Sequence, residues 1–129
     1  MLRFDEYRRT LDLLKRTDAI RNDRPLTEAE EGGLVQFFCL SVELGWKTMA
    51  SYLRSQGVKL STMAPLVIIR EAMRSRLVDD GDAWSGAVEL RNTMAHTYDP
   101  DAFHALIADA AQRYLPMLES LRERMETLS

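Results

Sequence analysis

An arginine and a histidine, two residue types that together handle phosphates and protons, stand five positions apart in this chain. They are Arg91 and His96, within WSGAVELRNTMAHTYDPD at residues 84–101. Ser85, Glu89, Asn92 and His96 step by 4, 3 and 4, which makes one polar stripe on a helix. The other stripes of that helix, Trp84–Val88–Ala95 and Ala87–Leu90–Met94, are apolar. Asn92 lies one turn before His96, within reach of it. The spacing predicts His96 in the last turn, where unpaired carbonyls favour a positive charge. Such an imidazole is a candidate to move a proton near neutral pH or to bind a phosphate. Arg91 lies about 140° around the helix from His96, so one helix alone does not stack the two. Arg91 must reach around, or a second copy of the chain must complete the site. The plain alternative is a histidine that only caps a helix end, with Asn92 supporting it.

The elements that must position this segment follow from apolar spacing. A first helix is predicted from about Leu2 to Ala19, with Phe4, Tyr7, Leu11 and Leu14 on one face. A second runs from about Glu28 to Gln56, opened by a capping box of Thr27 and Glu30 and closed by Gly57. It carries two adjacent packable stripes: Val35–Cys39–Val42–Trp46–Met49–Leu53 and Leu34–Phe38–Ser41–Gly45–Thr48–Tyr52. That surplus of packable surface predicts a subunit interface, with the small residues Ser41, Gly45 and Thr48 allowing close approach; a thick monomeric core is the alternative. A third helix spans Ser61 to about Leu77, with Ser61 or Thr62 as cap and Pro65 in its first turn. The fourth, from about Asp82 to Thr97 with Asp82 as cap, carries the polar stripe. The fifth starts at Asp99–Pro100 and continues past Leu121, with a kink expected at Pro116. The fold class is therefore all-α, an up-and-down bundle of about five helices in one domain over residues 1–129.

Composition agrees with this. The 129 residues include six glycines, four prolines, seventeen Lys and Arg, and twenty Asp and Glu. Few helix breakers among many charged helix formers favour helices. The net charge of −3 gives no bulk nucleic-acid signature, so any RNA contact has to come from a local basic patch. Arg70 and Arg74, four apart, are the best such pair for RNA or nucleotide; the alternative is a solvated face. Glu43 and Lys47 read as a solvated pair in the favoured order. Trp46 and Trp84 read as core anchors, and His104 as a surface residue. The lone Cys39 fits a reducing cytoplasm and forms no internal disulfide. The charged opening MLRFDEYRR is no signal peptide, and no apolar run is long enough to span a membrane. His96, His104 and one cysteine give no metal site of known spacing, and neither a phosphate-cradling glycine loop nor a nucleophile elbow occurs. No metal or other cofactor is expected.

The segment resembles the HEPN signature R-x4-H and, more closely, R-x4-H-x-Y, filled here by Arg91, His96 and Tyr98. The longer form is that of the HepT-like branch, also called nucleotidyltransferase substrate-binding proteins. QFFCLSVELGWKTMASYL at 36–53 resembles the family's long second helix, and PLVIIREAMRSRLVDDGDAW at 65–84 its third helix and the loop before the motif. Relatives often carry an acidic residue just before the motif arginine; here that position is Leu90, with Glu89 one residue earlier. The resemblance implies a HEPN-like helical bundle that dimerises, with the two motif helices meeting near the dimer axis. It also implies a cognate minimal nucleotidyltransferase as partner. In toxin members it implies a metal-independent ribonuclease, controlled by that transferase as antitoxin through addition of AMP to the motif tyrosine, here Tyr98.

Two functions follow. In a ribonuclease toxin, an RNA 2′-OH attacks the neighbouring phosphate. His96 then moves the proton, Asn92 orients the imidazole and Arg91 holds the phosphate. The alternative is a non-catalytic nucleotide- or substrate-binding subunit of a two-component nucleotidyltransferase, using the same groove.

Overall fold

Thr27 opens the longest helix as its spacing predicts. In the computed structural model, which describes residues 2–96 and 99–128, the Thr27 hydroxyl accepts from the Glu30 N–H at 3.2 Å. The Glu30 carboxylate in turn accepts from the Thr27 N–H at 2.9 Å. Arg24 grips the same carboxylate with two hydrogen bonds of 2.8 and 2.7 Å. That contact, with the Thr27 N–H, holds the Glu30 carboxyl at about 2. The helices are α1 (Leu2–Asp23), α2 (Glu28–Ser55), α3 (Pro65–Arg74), α4 (Gly81–Met94), α5 (Pro100–Asp109) and α6 (Leu115–Leu128). A π turn, Ala110–Tyr114, joins α5 to α6, so the two continue as one interrupted rod. No strand occurs among the described residues. The fold is an all-α helical bundle, and among the described residues no helix is long and apolar enough to cross a membrane.

Helix α2 lies at the centre and packs against α1, α3, α4, α5 and α6. Phe4, Tyr7, Leu11 and Leu14 of α1 are buried, as their spacing requires. The Tyr7 hydroxyl donates to the Leu118 carbonyl at 2.6 Å, pinning α1 to α6. Burial first, and then the Glu119 carboxylate, push that phenol well above its ordinary range. The stripe Leu34–Phe38–Ser41–Gly45–Thr48 is buried inside the chain itself, which corrects its reading as a subunit interface. The physical reason is Gly45. A Cβ there would lie 2.6 Å from Trp84 Cη2 and 3.2 Å from Tyr7 Cε1, so the missing side chain is where α4 and α1 close on α2. The apolar surface α2 leaves uncovered is elsewhere: Leu40 is exposed, and Phe37 and Leu44 on the same face are half-buried.

Several expected features move: α1 runs on to Asp23, past Ala19, and α4 closes at Met94, short of Thr97. Helix α3 begins at Pro65, not Ser61, because proline forces Ala64 into extended backbone (φ −63°, ψ 129°) and fits at a helix's first position. The Thr62 hydroxyl only accepts from the Ala64 N–H, at 3.2 Å. Helix α4 is capped by Asp80 rather than Asp82, the Asp80 carboxylate accepting from the Ala83 N–H at 2.9 Å. Asp82 falls in the first turn instead, where its charge suits the helix dipole. The kink expected at Pro116 is taken up just upstream by the π turn, which widens the rod where proline cannot donate. That turn sets Tyr114 against Phe38, ring centroids 6.2 Å apart, and over Gly86, where a Cβ would lie 2.6 Å from the Tyr114 hydroxyl.

Helices α2 and α3 end in the same way. At each, the residue past the cap has positive φ, Gly57 at 84° and Arg76 at 60°. At each, the following N–H returns to a carbonyl five residues back, Val58 to Leu53 at 3.0 Å and Leu77 to Ala72 at 2.9 Å. Both are Schellman ends, which normally recruit glycine; the second has an arginine.

Candidate active site

Helix α4 is fixed from its apolar side. Trp84, Ala87, Val88, Leu90 and Met94 are buried, which leaves Glu89, Asn92 and Thr93 exposed on the other side. Its last turn closes at the Ala95 cap, whose N–H donates to the Arg91 carbonyl at 3.2 Å, while the His96 N–H donates to the Thr93 carbonyl at 3.0 Å. His96 thus lies one residue beyond the cap rather than in the last helical turn, and its side chain is exposed.

Arg91, on the flank of α4, is half-buried and turns toward α2. Its Nη2 lies 3.5 Å from Glu43 Oε2, and the other oxygen of that carboxylate accepts from Lys47 Nζ at 3.0 Å. The hydrogen bond from Lys47, joined by the positive charges of Lys47, Arg91 and Arg3, holds the Glu43 carboxyl below the usual carboxylate range, against some loss of hydration. Lys47 Nζ also stands 5.6 Å from the centre of the Trp46 ring. Burial raises the Cys39 thiol, while Arg91 nearby pulls the other way. The result is a charged cluster, Arg91–Glu43–Lys47, set across two helices.

Among the described residues, no hydrogen bond joins either Asn92 or Arg91 to His96. The Arg74 guanidinium is mostly exposed and pairs with Glu71 at 3.2 Å. Arg70 lines a groove beside Ser85, Asp79, Asp80 and Asp82, at the far end of the polar stripe from His96. His104, expected at the surface, is exposed there and pairs across to Glu31 of α2 at 2.5 Å. Trp84 is a core anchor as its position predicts; Trp46 is buried too, with its indole nitrogen unpartnered. Tyr98 lies outside the described residues. Among the described residues, no group of three or more His, Cys, Asp or Glu side chains is placed to hold a metal ion.

A family model described as nucleotidyltransferase substrate binding protein like matches residues 2–127. The chain belongs to this family. The probable ribonuclease HepT of Haemophilus influenzae is 32% identical to it over 98 residues, 71% of this chain and 67% of that protein. As a HepT-like member of the nucleotidyltransferase substrate-binding family, the chain has Leu90 buried at the position before Arg91. Glu89 points out on the exposed side. The carboxylate beside Arg91 is Glu43, 48 residues away in sequence. Sequence reasoning paired Glu43 only with Lys47. The partial signal was that the Glu–Lys pair stands among the apolar residues Val42, Leu44 and Trp46, a setting that a purely solvated pair does not need.

Proposed function

We propose that this chain is the HEPN-type partner of a minimal nucleotidyltransferase and acts as a metal-independent endoribonuclease, the toxin of a toxin–antitoxin pair. The observation that carries the reading is an arginine held half-buried by a carboxylate at the end of a helix whose exposed histidine follows just past the cap, in a chain resembling a probable ribonuclease.

In this reading His96 accepts the proton of an RNA 2′-OH as O2′ bonds to the adjacent phosphorus. The P–O5′ bond breaks, a 2′,3′-cyclic phosphate forms, and the 5′-oxygen takes up a proton from solvent. Arg91 leaves Glu43 for the phosphate and stabilises the charge that builds on its oxygens. Asn92, on the same face as His96, orients the imidazole once substrate or a second copy confines it. A homodimer would complete the site, covering the Leu40 face of α2 next to Glu43 and Lys47. The partner transferase would adenylylate Tyr98, placing an anionic group where the RNA phosphate must sit.

RNA cleavage by the purified chain in EDTA tests this reading. Cleavage is expected for the wild type and lost in His96→Ala; equal cleavage by His96→Ala overturns it. A second reading, a non-catalytic nucleotide- or substrate-binding subunit of a two-component transferase, is favoured by one observation: Glu43 already occupies Arg91. It predicts no cleavage by either protein.

A further inference from the structure

On the side of α4 away from His96, a groove of about 790 Å³ opens between the α3–α4 turn and the π turn with α6. Three arginines from three elements line it: Arg76, Arg113 and Arg124. Two of them are unusual in their place. Arg76 occupies the left-handed position of a Schellman end (φ 60°), where the equivalent end of α2 has glycine. Arg113 sits in the π turn, an irregularity that recurs at functional sites. Arg76 and Arg124 are exposed and, among the described residues, have no ion-pair partner, while Arg113 is held by the Tyr114 hydroxyl and by Asp109, the latter at 3.6 Å. Pro116 and Met117 give the groove an apolar wall. Its lining carboxylates are Asp79, Glu123 and Asp80, the last turned to the N-terminus of α4 as its cap, where its charge serves the helix end.

We propose that this groove is a nucleotide site, taking the base on its apolar wall and the phosphates on Arg76, Arg113 and Arg124. Its volume falls in the range of about 300–1,000 Å³ common for small-molecule sites. A base offers a flat apolar face for Pro116 and Met117, and guanidiniums match phosphate oxygens in fork geometry. The left-handed arginine is the sharpest point. A side chain other than glycine is strained at that backbone angle, and Arg76 makes no ion pair with a carboxylate that would account for keeping it there. The site is separate from Arg91 and His96 and does not depend on the ribonuclease reading.

Calorimetric titration with MgATP, and with inorganic triphosphate as the base-free probe, tests the proposal. ATP is expected to bind, and triphosphate to bind about tenfold or more weakly for want of the base. Arg76→Gly relieves the backbone while removing the guanidinium, so its melting temperature should stay equal or rise. Its affinity for MgATP should fall about tenfold, the loss of a charge-assisted contact. Arg91→Ala should bind as the wild type does. Three results overturn the site: no ATP binding by the wild type, undiminished binding by a folded Arg76→Gly, or loss of binding in Arg91→Ala instead. Triphosphate binding as tightly as ATP overturns the assignment of a nucleotide.

Discussion

The two ends of α4 are built from opposite materials. At its start, Asp80 caps the helix and Trp84 fills the space left by Gly45, with two aromatic rings against a backbone that has no room for a single Cβ. At its finish, Arg91 is half-buried in a charged cluster and His96 lies exposed one residue past the cap. Packing fixes the first end at close to crystalline density, where removing or adding atoms is expensive. The second end is held by a charged pair that a competing anion can open. One rigid end therefore aims a helix whose other end can exchange partners, which is what the phosphate-handling role proposed for it would require.

The largest effects should break the rigid end. Trp84→Ala should cost about 3–5 kcal/mol, because a fully buried indole is lost. Gly45→Leu drives a side chain into Trp84 and Tyr7, and should lower stability at least as much as ordinary overpacking, about 1–3 kcal/mol. Urea denaturation measures both. If Gly45→Leu instead left the fold intact and only dissociated a dimer, the stripe would be an interface after all.

Next come the substitutions at the free end. His96→Ala and Arg91→Ala should each reduce RNA cleavage by about 10²–10⁴-fold. His96→Ala should leave the urea midpoint within about 0.5 kcal/mol of wild type, since an exposed side chain is removed. A large destabilisation by His96→Ala would erase the contrast between the ends.

Asp80→Ala removes the side-chain cap at the start of α4 and should cost about 1 kcal/mol. It should not change cleavage at temperatures where the protein is folded.

The smallest effect is Glu43→Gln. The Glu43 carboxyl titrates lower in the folded chain than in the unfolded one. Its stabilising contribution is therefore fully present above the ordinary carboxylate value and is lost as the pH falls through the folded value. The pair is about a third exposed, so the gap between wild type and Glu43→Gln should be under about 1 kcal/mol at pH 7. It should close toward pH 3, as paired thermal melts across that range would report.

Much of this was legible beforehand where one principle dominates. The apolar face of α1, the capping box of α2, the Gly57 stop and the polar stripe of α4 each follow from local spacing or turn chemistry. What could not be read were choices settled by distant partners. The Ser41–Gly45–Thr48 stripe fits a dimer seam or an internal seam equally well until Trp84 and Tyr7 are known to reach it. The Asp80 cap won over Asp82, so that α4 starts at Gly81, two positions before an Asp82 cap would have started it. Glu43 came to Arg91 across 48 residues, a distance at which no helical periodicity speaks. The π turn absorbed the proline kink because Tyr114 had to point at Gly86.

The bond from the Tyr7 hydroxyl to the Leu118 carbonyl spans 111 positions of the chain. On a ribosome, which releases the chain from its beginning, α1 emerges early and waits. Its phenol finds this acceptor only once Leu118, 111 positions later, has been translated. A product halted before residue 118 would hold that buried hydroxyl unsatisfied, and would leave the side of α1 that faces α6 uncovered for chaperones and proteases to find. Arrival of α6 is in this sense a checkpoint on maturation, and α4 would sit in a finished bundle only once α6 has closed over α1.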